Sequence, residues 1–171
     1  MKFKKFKFKK VKSTNNTAIR IIKENKYNLG MVVAETQVNG RGQYGRKWIS
    51  SKGNLFISFF NELNKTKLSI NAITKINCLL VKKLLSKFTK KNILFKKPND
   101  LLINKKKISG ILQEVILIKG KKFLITGIGI NIIKNPNIKN YPATNLKEVA
   151  KKSINKLQVE NKLKHIFEKN L

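Results

Sequence analysis

The 171-residue sequence contains one cysteine, three prolines, nine glycines and only eight acidic residues. A single cysteine excludes a disulfide scaffold, and so little glycine and proline excludes collagen-like and mucin-like chains. No apolar run approaches the roughly 18 residues that a membrane-spanning helix needs. The amino-terminal segment MKFKKFKFKK is charged but lacks the apolar stretch of a secretory signal. We therefore expect a cytoplasmic protein with a reduced thiol.

Basic residues dominate the remaining composition. The chain has 39 Lys and Arg residues against 8 Asp and Glu residues, a formal net charge of +31, and all but three of the basic residues are lysine. Such a charge suggests a nucleic-acid-binding protein, because the phosphates of nucleic acids bind basic surfaces at low salt. Dedicated readers of nucleic acid favour arginine, however, because its planar group makes paired hydrogen bonds. Since the lysines are spread along the whole chain, most are interpreted as solvated surface, and neither specific DNA binding nor membrane binding is expected.

The length and the 41% of hydrophobic residues indicate a single domain over residues 1–171. Hydrophobic periodicity and turn residues predict the order of its elements. They are an edge strand over 2–11, a helix over about 15–26 with a hydroxyl N-cap, strands over 31–34 and 55–60, a helix over 68–89, a short strand over 93–95, a hairpin of 101–103 and 107–118 turning at Asn104-Lys105, a strand over 123–133, and helices over 145–150 and 154–169. This order predicts an α+β fold with a mixed, largely antiparallel sheet, and not a βαβ repeat.

Uncommon residues are concentrated in three segments, near 40–54, 97–114 and 127–131. The only aspartate is Asp100, the only tryptophan is Trp48, and most of the glycines fall in the same three segments. Isolated rare residues in a lysine-rich chain are expected by chance, but their clustering is not. The three segments are therefore the candidates for a functional site.

The first segment contains the sequence Gly40-Arg41-Gly42-Gln43-Tyr44-Gly45, which matches G-x-G-x-x-G. A dinucleotide site requires a helix directly after this motif, and the following residues predict a continued loop over 38–53. A phosphate-binding P-loop also fails, because Arg46 stands at the position of its lysine. Two interpretations stay open: a loop that binds phosphate through arginine and a purine through Trp48, or a disordered basic surface loop.

The second segment places Asp100 between basic residues. Pro-Asn-Asp is ordinary turn chemistry. Alternatively, an ionised Asp100 can orient an amine or a metal. Lys107, which enters an apolar strand, can hold a ligand carboxylate or phosphate as a point charge.

The third segment is a strand whose alternation puts Gly127, Gly129 and Asn131 on one face. A face without side chains leaves room for a flat ligand, with Asn131 against a purine edge. The alternative is close packing of another backbone on the same face.

Two further residues have structural interpretations. Cys78 falls inside the long amphipathic helix and is predicted to be a small core or boundary residue rather than a nucleophile. His165 falls on the last helix and is predicted to lie at the surface. No second His or Cys is placed to complete a zinc site, and the metal ligands stay unknown.

Taken in order, several short stretches resemble the biotin protein ligase family, the biotin–[carboxyl-carrier-protein] ligases. They cover about residues 13 to 131. The matching stretches are Ser13-Thr14-Asn15, GRGQYGRKW (40–48), GNLFIS (53–58), KPND (97–100), KKISGIL (106–112) and GIGIN (127–131).

The resemblance implies a catalytic fold related to class II aminoacyl-tRNA synthetases, with helices packed mainly on one face of the sheet. It also implies a two-step reaction with ATP, Mg²⁺ and biotin. Biotin attacks the α-phosphate of ATP to give biotinyl-5′-AMP, and a lysine of a biotin carboxyl carrier domain, as in acetyl-CoA carboxylase, then accepts the biotin. Cations on the phosphates and a shielded intermediate suit this chemistry.

The resemblance also implies roles for individual residues. Lys107, Arg41 and Asp100 are the catalytic candidates, with Asp100 orienting or deprotonating the incoming lysine. The biotin-binding candidates are Ser13, Thr14, Asn15, Gln37, Arg41, Gly42, Gln43, Lys107 and Gly110. The candidates for binding ATP and the adenylate are Arg41, Arg46, Trp48, Lys107 and Asn131.

This sequence departs from the family pattern in four respects. Gln43 stands where many members have arginine, which predicts looser retention of the adenylate. Lys97 replaces a tryptophan that commonly precedes Pro-Asn-Asp, which changes the local packing. A DNA-binding repressor module before the catalytic domain and a small β-barrel after it are both expected to be absent.

Two other functions remain open on the sequence. A lipoate or octanoyl ligase or transferase shares the fold and the acceptor-lysine chemistry, although the glycine loop favours biotin. A basic nucleic-acid-binding protein would explain the charge and belongs to a different class.

Overall fold

The computed structural model describes residues 2–24, 27–63, 68–138 and 141–170. The strands are, in chain order, β1 (Lys4–Val11), β2 (Leu29–Gln37), β3 (Gly40–Arg41), β4 (Lys47–Trp48), β5 (Leu55–Glu62), β6 (Ile93–Lys96), β7 (Asp100–Ile103), β8 (Lys106–Ile118) and β9 (Lys121–Ile130). The helices are α1 (Thr14–Lys23), α2 (Ile70–Leu85), α3 (Leu146–Ala150) and α4 (Lys156–Asn170).

Within these residues, seven strands form one sheet in the order β1-β2-β5-β9-β8-β7-β6. β1 runs parallel to β2, and the other neighbouring pairs of this sheet are antiparallel. β3 and β4 pair with each other in a separate antiparallel ribbon. The arrangement confirms the predicted α+β fold with a mixed, largely antiparallel sheet.

Tight hairpins connect β7 to β8 and β8 to β9. Strands β8 and β9 form the floor of a cavity. The predicted hairpin between β7 and β8 turns at Asn104 and Lys105, whose φ angles are 50° and 62°. β8 and β9 are joined through Lys119 and Gly120, with φ angles of 49° and 76°. Two successive left-handed residues match the twist of the flanking strands, which is why such turns favour Asn and Gly.

The two faces of the sheet carry different helices. α2 and α4 pack on one face, where Val81 and Phe167 belong to the larger hydrophobic core. α1 packs on the opposite face through Ala18 and Ile22. The expectation of helices mainly on one face therefore holds for α2 and α4, while α1 covers the other face. None of the described helices is long and apolar enough to cross a membrane.

β1 is an edge strand, as its alternation of lysine and phenylalanine predicts. Phe6 and Phe8 pack toward the smaller core beneath α1, whereas most of the intervening lysines are exposed. Lys5 is also exposed, and it forms an ion pair with Glu160 of α4, whose side chain is 5% exposed. Charged residues along an unpaired edge oppose pairing with another chain.

Some element ends differ from the prediction. β9 ends at Ile130. Asn131 still donates its N–H to Ile108 O of β8 at 2.9 Å, but the N–H groups of Ile132 and Ile133 donate to Oδ1 of Asn54 instead of to a strand, at 2.9 and 3.1 Å. α1 ends at Lys23, and residues 25–26 of the predicted helix lie outside the described residues. The segment 38–53, predicted as loop, contains the β3–β4 ribbon and a single 3-10 turn.

Cys78 lies in the larger core, as predicted, and is 0% exposed. Burial, and secondarily the Asp100 carboxylate, raises the pKa of its thiol from 9.0 to about 12. As the pH rises, the thiol ionises in the unfolded chain at a lower pH than in the folded protein. Its contribution to the free energy of unfolding is therefore complete below pH 9 and is lost as the pH rises toward 12.

We therefore expect the wild type to lose about 2 kcal/mol more unfolding free energy than Cys78→Ala between about pH 7.5 and about pH 10.5. Urea unfolding of both proteins at the two pH values measures this difference. The lysines titrate in both proteins and cancel in the comparison. Equal losses would contradict the assignment.

Candidate active site

One cavity of about 740 Å³ lies on the α1 side of the sheet, beneath the β3–β4 ribbon. Its size falls in the range of small-molecule sites. All of the predicted site residues line it: Ser13, Thr14, Asn15, Gln37, Arg41, Gly42, Gln43, Arg46, Trp48, Asp100, Lys107, Gly110 and Asn131. The fold thus brings together the three segments that the uncommon residues mark in the sequence.

Glycines of β8 and β9 form the floor of the cavity. Gly110 lies opposite Gly129 in the ladder between these strands. A Cβ atom on Gly129 would lie 2.3 Å from Cζ2 of Trp48, and one on Gly127 would lie 2.3 Å from Oδ1 of Asn15. Side chains cover these glycines, so the alternative interpretation, in which another backbone packs on this face, is wrong.

The amino-terminal end of α1 supplies a polar wall. Ser13 is the N-cap residue, as predicted, but its hydroxyl makes no capping hydrogen bond, and the residue lines the cavity. The N–H and the hydroxyl of Thr14 both lie within reach of Oε1 of Gln37, at 2.8 and 3.1 Å. Gln37 Nε2 in turn donates to the Ser50 hydroxyl at 3.0 Å. These bonds fix which donors and acceptors the wall presents to a ligand.

Glu114 of β8 connects the ribbon to α1 and was not predicted as a site residue. Nη2 of Arg41 lies 2.6 Å from its Oε2 and 2.9 Å from its Oε1, and Nδ2 of Asn15 donates to Oε2 at 2.7 Å. Alternation along β8 puts Glu114 on the same face as Gly110, which is the sequence signal that identifies it. Its carboxylate holds two cavity residues that come from different elements.

Two of the three catalytic candidates, Lys107 and Asp100, meet at the opposite end of the cavity, whereas Arg41 pairs with Glu114. Nζ of Lys107 forms an ion pair with Oδ1 of Asp100 at 2.6 Å. The hydroxyl of Tyr141 donates a short hydrogen bond to the other oxygen, Oδ2. Asp100 is 7% exposed, so both of its oxygens are engaged away from bulk water. The sequence predicts a site for Asp100 and Lys107, but not that they pair.

Two aromatic rings flank the Lys107 ammonium. Nζ lies 5.2 Å from the Trp48 ring centroid and 5.3 Å from the Tyr141 ring centroid. Cation–π contacts of this length attract the ammonium to the ring faces and restrict where it lies. The ammonium is therefore held in place while 20% of the lysine side chain stays exposed.

Asn131 lines the cavity, but its amide is bonded within the chain. Nδ2 donates to Thr144 O at 3.1 Å, and Oδ1 lies 3.5 Å from Nδ2 of Asn54. The amide thus ties the end of β9 to the segment before α3. Contact between Asn131 and a purine edge remains a prediction, and it requires these bonds to rearrange.

The residues of the glycine motif form a compact turn. Gly42 N–H donates to Arg46 O at 2.7 Å, and Arg46 N–H donates to Gln43 O at 3.1 Å. Tyr44, at the tip, has a φ of 55° and is 87% exposed. The element directly after the motif is the short strand β4 and not an α-helix, which agrees with the exclusion of a dinucleotide fold.

Two buried N–H donors beside the cavity, Nε of Arg41 and Nε1 of Trp48, have no hydrogen-bond partner in the part of the chain that the structure describes. Buried donors are almost always satisfied in folded proteins. A ligand that brings acceptor atoms into the cavity would satisfy them.

The model of the biotin/lipoate A/B protein ligase family matches residues 7–131. The chain belongs to this family. The matched residues include every cavity-lining residue predicted above, and they span β1 to the end of β9.

Relatives within the family agree with this assignment. The chain is 31% identical over 165 residues to the bifunctional ligase/repressor BirA of Bacillus subtilis, covering 92% of this chain and 50% of that protein. A biotin protein ligase from Aquifex aeolicus in complex with biotin and ATP is 31% identical, with a TM-score of 0.80 over 97% of this chain and 69% of that one. One from Leishmania major in complex with biotin is 27% identical, with a TM-score of 0.82 over 95% and 72%. The chain spans about half the length of the first of these relatives.

For this family member, replacing the floor glycine under Trp48 is expected to displace the indole. Gly129→Ala introduces a methyl group 2.3 Å from the ring, and such overpacking costs about 1–3 kcal/mol. Trp48 is the only tryptophan, so a red-shifted emission spectrum reports its exposure directly.

Gly120→Ala is the matched control. Unlike Gly129, Gly120 has a positive φ of 76°, so alanine strains its turn, but a Cβ there would meet nothing within 4 Å and the spectrum should keep its position. Identical spectra for wild type and Gly129→Ala would show that Trp48 does not rest on the floor.

Proposed function

We propose that this protein is a biotin–[biotin carboxyl carrier protein] ligase. In the first step a biotin carboxylate oxygen attacks the α-phosphate of ATP, and pyrophosphate leaves. In the second step a carrier lysine amine attacks the acyl carbon, a C–N bond forms, and AMP leaves with the electrons of the broken C–O bond. The observation that carries the proposal is the single cavity that collects the polar wall, the arginines and the Lys107–Asp100 pair.

The polar wall suits the ring of biotin. Its ureido group presents two N–H donors and one carbonyl acceptor. Ser13, Thr14, Asn15 and Gln37 offer hydroxyl and amide groups of both kinds within one region of the cavity. A site built from such groups discriminates strongly against an analogue that lacks their partners, because its own polar groups would stay unpaired.

The opposite end suits phosphates and an activated carboxylate. Lys107 supplies a held cation, and Arg46 and Arg41 supply further positive charge along the same cavity. Positive groups aimed at the α-phosphate stabilise the negative charge that develops there during attack. Trp48 supplies an aromatic ring for a purine, and its sole unsatisfied polar atom is an N–H donor.

We propose that Mg²⁺ reaches the site with the nucleotide. The described residues contain no group of three or more His, Cys, Asp or Glu side chains that could hold a metal. Mg²⁺ in nucleotide sites is commonly held largely by substrate phosphates and waters, so a cluster of protein ligands is not required. When bound, the ion would neutralise phosphate charge.

The proposed partner is a biotin carboxyl carrier domain, and the proposed location is the cytoplasm. An exposed lysine of the carrier must reach the acyl carbon beside Asp100 and Lys107. The single free cysteine, Cys78, is consistent with a reducing compartment.

The deciding experiment incubates the protein with biotin, Mg-ATP and an apo carrier domain and detects biotin on the carrier. We expect biotinylation that requires ATP and the carrier lysine. Lipoate in place of biotin tests the alternative within the family. Absence of biotinylation at every enzyme concentration would refute the proposal.

The net charge of +31 favours a second candidate, nucleic-acid binding. This candidate predicts tight binding that survives about 0.2 M salt, whereas incidental attraction to lysines disappears at that salt. Fluorescence anisotropy with labelled duplex DNA and RNA separates the two.

A further inference from the structure

Tyr141 stands in the segment between β9 and α3, which the sequence analysis left without a function. Its hydroxyl donates to Oδ2 of Asp100. Its ring centroid lies 5.3 Å from Nζ of Lys107 and 5.1 Å from Nζ of Lys96. One side chain thus contacts both members of the Lys107–Asp100 pair.

The backbone fixes Tyr141 relative to Lys107. The residues that follow it form a bridge to the start of β8, in which Lys107 N–H donates to Pro142 O at 2.8 Å and Thr144 N–H donates to Lys107 O at 2.9 Å. Ala143 pairs with Lys107 as an isolated parallel bridge. The strand residue that carries the ammonium therefore also anchors the tyrosine that contacts it.

The hydroxyl remains a proton donor at neutral pH. Burial, then the hydrogen bond and the charge of Asp100, raise the pKa of Tyr141 from 10.0 to about 12, and Arg46 opposes this shift. The charged groups that face the phenol are thus Asp100, Lys107, Lys96 and Arg46. A neutral phenol satisfies one carboxylate oxygen without adding charge.

We propose that Tyr141 is a positioning residue for both steps of the reaction, with a different part of the side chain serving each. This inference rests on the proposed function. The ring restrains the Lys107 ammonium opposite Trp48 during formation of the adenylate. The hydroxyl holds Oδ2 of Asp100, so that the carboxylate keeps its orientation when Lys107 turns to the ligand.

The geometry gives a reason for this division. In the structure, Lys107 and Tyr141 occupy one oxygen of Asp100 each. Once Lys107 contacts ligand oxygens, Oδ1 becomes free while Oδ2 stays bound to Tyr141. The free oxygen can then accept an N–H of the incoming carrier amine and take its proton as the C–N bond forms.

Two variants separate the two parts of the side chain. Tyr141→Phe keeps the ring and removes the hydroxyl, so we expect transfer from biotinyl-5′-AMP to fall about tenfold to a hundredfold. Biotin-dependent exchange of pyrophosphate with ATP should change by less than about threefold, because cation–π contact persists. Tyr141→Leu removes the ring as well, so both steps should fall at least about tenfold.

Tyr27→Phe is the matched control. Its ring also lies near a lysine, with Nζ of Lys4 5.8 Å from the centroid, but Tyr27 does not line the cavity. Neither step should change in this variant. Melting temperatures of all three variants distinguish loss of positioning from loss of folding, since a folding defect lowers both steps together.

A double-mutant comparison tests whether Tyr141 acts through Asp100. If it does, Tyr141→Phe slows transfer in the wild type and has no further effect in Asp100→Asn. Equal loss of both steps in a stably folded Tyr141→Phe, unchanged transfer, or an undiminished effect in the Asp100→Asn background would each overturn the proposal.

A titration readout is independent of the activity. At about pH 11 a phenol of ordinary pKa is about nine-tenths ionised, whereas Tyr141 should be about one-tenth ionised. The tyrosinate absorbance of wild type minus that of Tyr141→Phe measures this fraction, and circular dichroism confirms folding at that pH. If about nine-tenths of Tyr141 is ionised at about pH 11, its hydroxyl does not contact Asp100 and the proposal is wrong. Absence of biotin-dependent exchange in the wild type would instead refute the proposed function.

Discussion

Lys107→Ala is expected to lower biotin-dependent pyrophosphate exchange by about a thousandfold, the loss typical when a group that stabilises transition-state charge is removed. In the structure its ammonium is already localised, 2.6 Å from Asp100 and between the rings of Trp48 and Tyr141. The two rings keep the ammonium in the cavity while it exchanges Oδ1 of Asp100 for a phosphate oxygen, so a positive charge is in place as negative charge develops there. Alanine removes the charge and leaves Asp100 without its counter-ion.

Lys106→Ala is the matched control for Lys107→Ala. The two lysines are neighbours at the start of β8, but Lys106 is exposed and does not line the cavity. Its removal changes the net charge by the same amount and should leave the exchange rate within about twofold, because exposed charges contribute little. Near-normal exchange in a folded Lys107→Ala would show that another group activates the carboxylate.

Local sequence patterns were sufficient for most of the fold. The turn at Asn104 and Lys105 and the long amphipathic α2 each have a signal within a few residues, and both occur as predicted. The pattern of helix and strand also identified the sheet as largely antiparallel. The ends of elements were less predictable, since contacts distant in sequence set them: β9 stops where the following N–H groups, of Ile132 and Ile133, donate to the side chain of Asn54.

The membership of the site was predictable because rare residues stand out against a lysine-rich background. Asp100, Trp48, Arg41 and Arg46 all line one cavity. The contacts among them were not predictable. Periodicity indicates which face of a strand a residue occupies, but not that Trp48 folds back onto Gly129 from a ribbon eighty residues earlier in the chain.

Residues without a motif were missed altogether. Tyr141 belongs to an irregular segment, and it reaches the site only because that segment forms a bridge to β8 at Lys107. Glu114 has a weak signal, a carboxylate on the glycine-bearing face of β8. Its importance depends on Arg41, which approaches it from another part of the chain.

The ion pair between Asp100 and Lys107 changes what Asp100 substitutions can be expected to do. Were Asp100 only an acceptor of the amine proton, Asp100→Ala would spare adenylation completely. Because Asp100 also holds Lys107 at 2.6 Å, alanine would disturb both steps. Asp100→Asn is the sharper variant, since the amide keeps the volume and can still accept a hydrogen bond through its oxygen.

We expect Asp100→Asn to slow transfer by about a hundredfold to a thousandfold, because an amide cannot take a proton from the attacking amine. Biotin-dependent pyrophosphate exchange should fall by no more than about tenfold, as Lys107 keeps its aromatic contacts. Transfer is measured in single turnovers with preformed biotinyl-5′-AMP and apo carrier domain.

Glu62→Gln is the matched control. It also removes a carboxylate paired with a lysine, since Oε2 of Glu62 lies 3.0 Å from Nζ of Lys121, but this ion pair lies outside the cavity. It should alter neither step. If Asp100→Asn lowers both steps by the same factor, Asp100 serves to hold Lys107 and has no separate part in accepting the carrier lysine.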